Sequence, residues 1–306
     1  MSLNADTLLD RMRLKQQLGR WRMLAILVAL FAVWALFEKG SQFSPMESDY
    51  IARITVDSVI TDDPALSKLI EKTRKDRHAK AVLVWLDTPG GSAVGGQQLY
   101  LDLLNLSKAK PVVAVMRTMA TSAGYMAALG ADHIVAREGT VTGSIGVIME
   151  SFEATELAEK LGIKPIVIKS GPNKASPNPM EKFTPDQQAV MQGVIQDFFN
   201  WFVDIVAERR NLPRDTVVKL ADGRIYTGRQ ALKVKLIDQL GGEKEALQWL
   251  QQNRKISNTL EVKDVKVEKE QQSLFDELSQ MANGNISAHF LQKLDGLSAI
   301  WQPNSL

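Results

Sequence analysis

Two apolar runs, each ending in a turn of small residues and each followed by a helix-compatible stretch, constrain this chain more than any other feature. The first, Ala79 to Leu86, enters Asp87-Thr88-Pro89-Gly90-Gly91-Ser92 and then helical signals from Gly95 to Leu106. The second, Pro111 to Met116, enters Met119-Ala120-Thr121-Ser122-Ala123-Gly124-Tyr125 and then the small residues Met126 to Gly130. An apolar run without alternation suits a strand covered on both faces. Strand–turn–helix units with short connections bring successive strands side by side and parallel. The spacing therefore predicts an α/β fold with a largely parallel sheet.

The same reading places a strand over Ile51 to Ile60, a helix over Pro64 to Lys75 and a short strand over His133 to Ala136. A second Gly/Ser turn, Thr142-Gly143-Ser144-Ile145-Gly146-Val147, follows. A helix over Glu153 to Leu161 and a buried strand over Pro165 to Ile168 lead into a loop, Lys169 to Phe183, rich in Pro, Asn, Ser and Gly. Loops of that length are often functional. Thr184-Pro185-Asp186 is a start signal for a long amphipathic helix reaching Asn211. A short strand at Arg224-Ile225-Tyr226, a helix from a Thr227 cap through Val234, and a helix over Glu243 to Gln252 complete a body spanning 51–254. Beyond it, 255–306 is a charged appendage with helical spacing at Leu274, Leu278 and Met281 and a weak helix near Phe290 to Leu297. It reads as a surface appendage or an oligomer contact.

Met23 to Phe37 carries no charge. With Trp21 and the stem of Arg22 it reaches about 17 residues, the lower limit for a membrane-spanning helix. Arg11, Arg13, Lys15, Arg20 and Arg22 precede it against Asp6 and Asp10. The positive-inside rule keeps that end in the cytoplasm and sends the body across. A cleaved signal peptide would need a small-x-small site after the run, and the nearest match, Val33-Trp34-Ala35, lies inside it. The expectation is a basic cytoplasmic segment over 1–20, an uncleaved transmembrane signal anchor over 21–38 and a linker over 39–50.

Composition removes several chemistries. There is no cysteine, hence no disulfide, thiolate nucleophile or cysteine-ligated metal. His78, His133 and His289 have no metal-ligand spacing. A net charge of +2, from 37 basic and 35 acidic residues, gives no case for nucleic acid as a partner.

Ser122 stands at a strand–helix junction, where a hydroxyl lies near the positive end of a helix. Taken alone, the junction is equally an ordinary cap made by Thr121 or Ser122. A serine nucleophile needs a base and donors aimed at the developing oxyanion. His133, nearest in sequence, heads an apolar strand and suits a structural role, and the surroundings of Ser122 are not G-x-S-x-G. A lysine base must be neutral, so burial must bring its pKa from about 10.4 toward 7, roughly 1.4 kcal/mol per unit. Lys174 lies in a loop without acidic neighbours, with Lys169 and Lys182 as competitors. The side-chain-free turn at Pro89-Gly90-Gly91 can present backbone donors to an anion.

Five motifs occur in register: Leu86-Asp87-Thr88-Pro89-Gly90-Gly91, Ala120-Thr121-Ser122-Ala123-Gly124-Tyr125, Thr142-Gly143-Ser144-Ile145-Gly146-Val147, Ile168-Lys169-Ser170-Gly171-Pro172-Asn173-Lys174, and Ala221-Asp222-Gly223-Arg224-Ile225-Tyr226-Thr227-Gly228-Arg229-Gln230-Ala231. Together they resemble the signal peptide peptidase A family in its short bacterial form with one catalytic domain, over roughly Ile51 to Leu250. The resemblance implies a Clp protease/crotonase-like fold of ββα repeats, here preceded by one transmembrane helix. It implies Ser122 as nucleophile, Lys174 as general base, the Gly91 and Ala123 N–H groups as oxyanion hole, and Ser144 as the serine that orients the lysine. It further implies cleavage of remnant signal peptides at the membrane by dome-like homo-oligomeric rings in which several subunits build each groove. Ala123, where the family commonly has glycine, Pro172-Asn173 before the lysine and Ala175 after it depart from the family pattern.

The expected function is a membrane-anchored serine endopeptidase acting through a Ser122–Lys174 dyad and an acyl-enzyme, with no metal or cofactor. The expected location is the bacterial inner membrane, with the catalytic domain on the periplasmic side. Two other readings share the residues: a crotonase-like acyl-CoA enzyme, and an inactive membrane scaffold of the same fold.

Overall fold

A computed structural model describes residues 15, 18–30 and 48–267. The chain divides into two units, Met1–Ser48 and Asp49–Leu306. In the first, residues 18–30 are helical and exposed. No helix among the described residues is long and apolar enough to cross a membrane. The rest of the expected anchor (31–38), nearly all of the basic segment, the linker through 47 and the appendage from 268 onward lie outside the described residues.

In the second unit β1 (Tyr50–Val56), α1 (Pro64–Lys75), β2 (Ala79–Thr88), α2 (Ala93–Ser107), β3 (Val112–Thr121), α3 (Ala123–Ala128) and β4 (His133–Ala136) follow with short connections. Then come β5 (Val141–Gly143), α4 (Thr155–Lys160), α5 (Pro185–Arg210), α6 (Arg214–Leu220), β6 (Ile225–Thr227), α7 (Gly228–Lys233), β7 (Gln239–Leu240), α8 (Glu243–Arg254) and β8 (Glu261–Asp264). The sheet runs β6-β5-β3-β2-β1-β8, with β4 beside β3 and β7 beside β4. Every pairing is parallel except β5 with β6. The predicted α/β architecture with a mostly parallel sheet is the observed one.

The apolar runs do what their composition dictates. Val82, Val84, Leu86, Val112, Ala114 and Met116 face one core, with Leu99, Leu103, Tyr125 and Met126 from the helices. Ala81, Leu83, Val113 and Val115 face the other core, under Ala246 and Leu250 of α8. Both faces are covered, so neither run alternates.

β3 is long and changes partner midway. Val113–Met116 pair with β4, and Met119–Thr121 pair with β5. The polar end of this strand reads as a turn in sequence, yet the β5 ladder holds it extended up to Thr121. The buried strand expected over Pro165 to Ile168 is a correction. That stretch has no regular structure, with Ile166 91% and Ile168 96% exposed. Its β-branched run has the propensity, but no strand among the described residues pairs with it. β8, charged and β-poor, was not foreseen; it forms as a parallel edge on β1, secured by Arg53 to Asp264 at 2.5 Å.

His133 is structural, as expected. Its ring stacks on Trp249 at 4.5 Å and 9°, and its Nε2 lies 3.1 Å from Gln239 Oε1. Burial holds its pKa below the ordinary imidazole value.

Candidate active site

β3 ends in a kink. Ser122 has φ 52° and ψ −117°, a conformation that a residue with a Cβ rarely adopts. Such outliers cost about 1–3 kcal/mol and gather where function requires them. Two backbone bonds hold the kink. The Ser122 amide donates to the Gly143 carbonyl at 2.9 Å, and the Met126 amide donates to the Ser122 carbonyl at 2.9 Å. The Ser122 side chain makes no cap bond to α3. It is half-buried rather than enclosed, so the helix-cap reading of this residue does not hold. At six residues, α3 contributes its first amides rather than a long macrodipole.

The Pro89–Gly91 turn packs on this kink. Gly90 has φ 108°, and a Cβ there would stand 2.9 Å from Ser122 Cβ and 2.9 Å from the Thr121 carbonyl oxygen. Only glycine admits both the conformation and the approach. Gly91 bridges in parallel to Ile60. The Ile60 amide donates to Gly90 (2.8 Å) and the Ser92 amide to Ile60 (2.9 Å). In that pattern the flanked residue turns its own N–H to the opposite side. Among the described residues no hydrogen bond uses the N–H of Gly91 or of Ala123.

A Cβ on Gly91 would fall 1.9 Å from the Ile60 carbonyl oxygen. Gly91→Ala should therefore lower stability by about 2–3 kcal/mol, since backbone has to move to admit the methyl. For a body of this size that is a fall of roughly 5–10 °C in melting temperature. Thermal unfolding followed by circular dichroism checks it, and an unshifted midpoint would mean the turn is looser than described.

Ser144 is brought beside the Ser122 turn. Thr121 and Gly143 are register partners across β3 and β5, and the residue after each has positive φ, 52° at Ser122 and 50° at Ser144. The Ser144 amide donates to Arg224 at 2.9 Å. The two serines leave the sheet side by side.

Lys174 is not brought in by the single chain. It lies in the turn 172–175 and is exposed, whereas a neutral base calls for burial. No hydrogen bond or ion pair among the described residues joins it to Ser122. Its loop is nevertheless fastened at several points. Lys169 pairs with Glu181, Gln187 Nε2 donates to the Pro172 carbonyl at 2.9 Å, and the Ala154 amide donates to Pro179 at 2.8 Å. The amine of Lys169 is thus engaged by a carboxylate, which removes it as a competitor. A cavity of about 410 Å³, lined by Met149, Phe152, Phe183, Met191 and Ile195 among others, adjoins this loop rather than Ser122. In the segment leading into the loop, Ile148, Leu157, Leu161, Ile163, Ile166 and Ile168 are exposed.

Sequence reasoning did not single out Thr88 or Thr142, and read Thr121 only as a helix-cap candidate. Thr88, Thr121 and Thr142 bond to Ser58, Pro89 and Ala120. A threonine at the end of an apolar run is the signal that could have marked them. No group of His, Asp or Glu among the described residues could hold a metal ion.

The family model for peptidase family S49 matches residues 105–257. The protein named "Putative protease slr0021" from Synechocystis sp. is 42% identical over 201 residues, covering 65% of this chain and 72% of that protein. "Putative signal peptide peptidase SppA" from Enterococcus faecium is 34% identical over 190 residues, covering 62% of this chain and 55% of that protein. Among solved structures, a mutant of a membrane-bound stomatin-specific protease matches with a TM-score of 0.46 and 17% identity, over 72% of this chain and 98% of that one.

Proposed function

The chain belongs to peptidase family S49 and is a serine protease, and from that premise we propose that it is a membrane-anchored endopeptidase that degrades remnant signal peptides through a Ser122–Lys174 dyad. The observation that carries the reading is the strained, half-buried Ser122, flanked by Gly90 and by two backbone amides that no hydrogen bond among the described residues uses. The parallel β5-β3-β2-β1 order and the Gly and Ser turns at its strand ends fit a fold of the Clp protease/crotonase kind.

In the proposed reaction Lys174 Nζ takes the proton of Ser122 Oγ, and Oγ attacks the scissile carbonyl carbon. The Gly91 and Ala123 N–H groups donate to the resulting oxyanion; one such donor is worth about 10²–10³ in kcat. The protonated amine then gives its proton to the leaving amine, and an ester on Ser122 remains. Water, deprotonated by the same amine, attacks the ester; the Ser122 Oγ–acyl bond breaks, the amine returns its proton to Oγ, and the acid product leaves. Ser144, emerging beside Ser122, orients the lysine.

The exposure of Lys174 is the reason to propose assembly. A second copy laid over the Lys169–Phe183 loop would take its amine out of water and cover the exposed apolar side chains between Ile148 and Ile168. That agrees with a homo-oligomeric ring whose subunits share each groove. The anchor over 21–38 would fix such a ring at the inner membrane, with the catalytic domain on the periplasmic side.

The test is an activity-based one on the full chain in detergent or lipid. A fluorophosphonate probe should label it, and peptide mapping should place the adduct on Ser122. An adduct elsewhere, or no labelling together with saturable binding of an acyl-CoA, would replace this reading with the acyl-CoA one.

A further inference from the structure

Thr121 precedes the nucleophile and is 6% exposed. Its Oγ1 donates to the Pro89 carbonyl at 2.8 Å. Pro89 opens the turn whose next residues are Gly90, packed on Ser122, and Gly91, whose amide faces away from Ile60. One hydroxyl on the strand that carries the nucleophile thus grips the turn that carries the other half of the site.

The backbone needs that grip. The β2–β3 ladder is regular through Leu86–Met116, then shifts register before Thr88–Ala120. The interruption falls just where the two strands deliver Gly91 and Ser122. Side chains take over from the ladder there. Asp87 accepts from the Thr118 hydroxyl (3.1 Å) and the Met119 amide (3.2 Å), ahead of the turn. Thr88, fully buried, donates to Ser58 (2.6 Å) and accepts from the Gly90 amide (3.1 Å), which fixes the turn to its own strand. Thr121 makes the side-chain bond that crosses from β3 to the turn itself.

We infer that Thr121 is a positioning residue of this site, its hydroxyl setting the separation between the Gly91 and Ala123 amides. The inference rests on the oxyanion assignment proposed above. Two donors serve a developing oxyanion only while both stay within about 2.7–3.1 Å of it. A displacement of about 1 Å costs on the order of 10²-fold in rate. Removing it leaves the Pro89 carbonyl without its partner and the turn free to drift.

The experiment compares Thr121→Val, which keeps shape and loses the donor, with Thr121→Ser, which keeps the donor, in the full-length enzyme. Thr121→Ala serves as a second donor-less variant should valine impair folding. With a peptide reporter, Thr121→Val should lose about 10- to 100-fold in kcat with KM within about threefold. Thr121→Ser should stay within about threefold of the parent in both. Amide exchange over 88–92 should accelerate in the valine variant and not in the serine variant, a readout that needs no turnover. Parental kcat and parental exchange in Thr121→Val would overturn the inference. Failure of the nucleophile assignment looks different: the fluorophosphonate adduct of the parent enzyme would map away from Ser122.

Discussion

Ser122→Ala should abolish peptide hydrolysis, with a loss on the order of 10⁵-fold in kcat, while the protein remains folded. The two halves of that expectation have separate grounds. The loss follows from the role proposed for Ser122, because the Gly91 and Ala123 amides assigned to the oxyanion stabilise charge only on a carbonyl that something has attacked. Removing the nucleophile leaves a site that binds without forming an acyl-enzyme, so the residual rate is that of water in a polarising pocket. The retained fold follows because the Ser122 side chain makes no cap bond, and both bonds that hold the kink are backbone. Alanine at φ 52° bears a strain similar to that of serine. Progress curves with an apolar peptide reporter, alongside a melting curve, measure both at once. A variant that keeps even a tenth of the activity would move the nucleophile to another residue.

Lys174→Ala should cost about 10³- to 10⁵-fold in kcat/KM, and Lys174→Arg should fare no better. The arginine comparison isolates the physics. Arginine keeps the charge and much of the length, but it cannot give up its proton in a protein, so it cannot act as a base. If Lys174 merely attracted a substrate carboxylate, the arginine variant would be active. Because Lys174 is exposed in the isolated chain, the effect should appear in assembled particles. Mixing Ser122→Ala with Lys174→Ala subunits should then restore part of the activity if one copy lends its lysine to another. No restoration would confine the dyad to a single chain.

What was legible in the sequence divides along a physical line. Segments whose neighbours are close in the chain were read closely. α1 runs from Pro64 to Lys75 as expected, with Asp63 accepting from the amides of Ala65 and Leu66. The long helix opens on the Thr184–Gln187 capping box and closes at Asn211 in the left-handed region. Thr227 caps α7 in the same reciprocal way. Capping is local chemistry, so a handful of residues announces it. The strands depended on distant partners. Ala79 to Leu86 was read as a strand and continues to Thr88, while Pro165 to Ile168 has the right residues and no strand to join. Glu261–Asp264 has poor residues and a ready edge on β1.

The candidate site shows the same division. Ser122 and the Gly90-Gly91 turn were legible only together with the other motifs in register, because either junction alone reads as an ordinary cap or turn. Gly90 proved to be the residue packed so closely on Ser122 that a Cβ there would meet its side chain, although the proposed oxyanion donor is the Gly91 amide. Lys174 was legible as a lysine without acidic neighbours, but its exposure in the single chain was not, because exposure depends on what lies over the loop. Thr121 was passed over as a cap candidate. Its hydroxyl turns instead to Pro89, on a segment 32 residues away.

The midway change of partner along β3 has a mechanical outcome. Its second half and β5 form a short two-strand bracket, latched by Thr142 Oγ1 to the Ala120 carbonyl at 2.8 Å, and both strands kink at equivalent points. The ladder therefore sets the backbone spacing at which Ser122 and Ser144 leave the sheet, so in the dyad proposed above an incoming amine would meet two hydroxyls carried on strands already fixed in register.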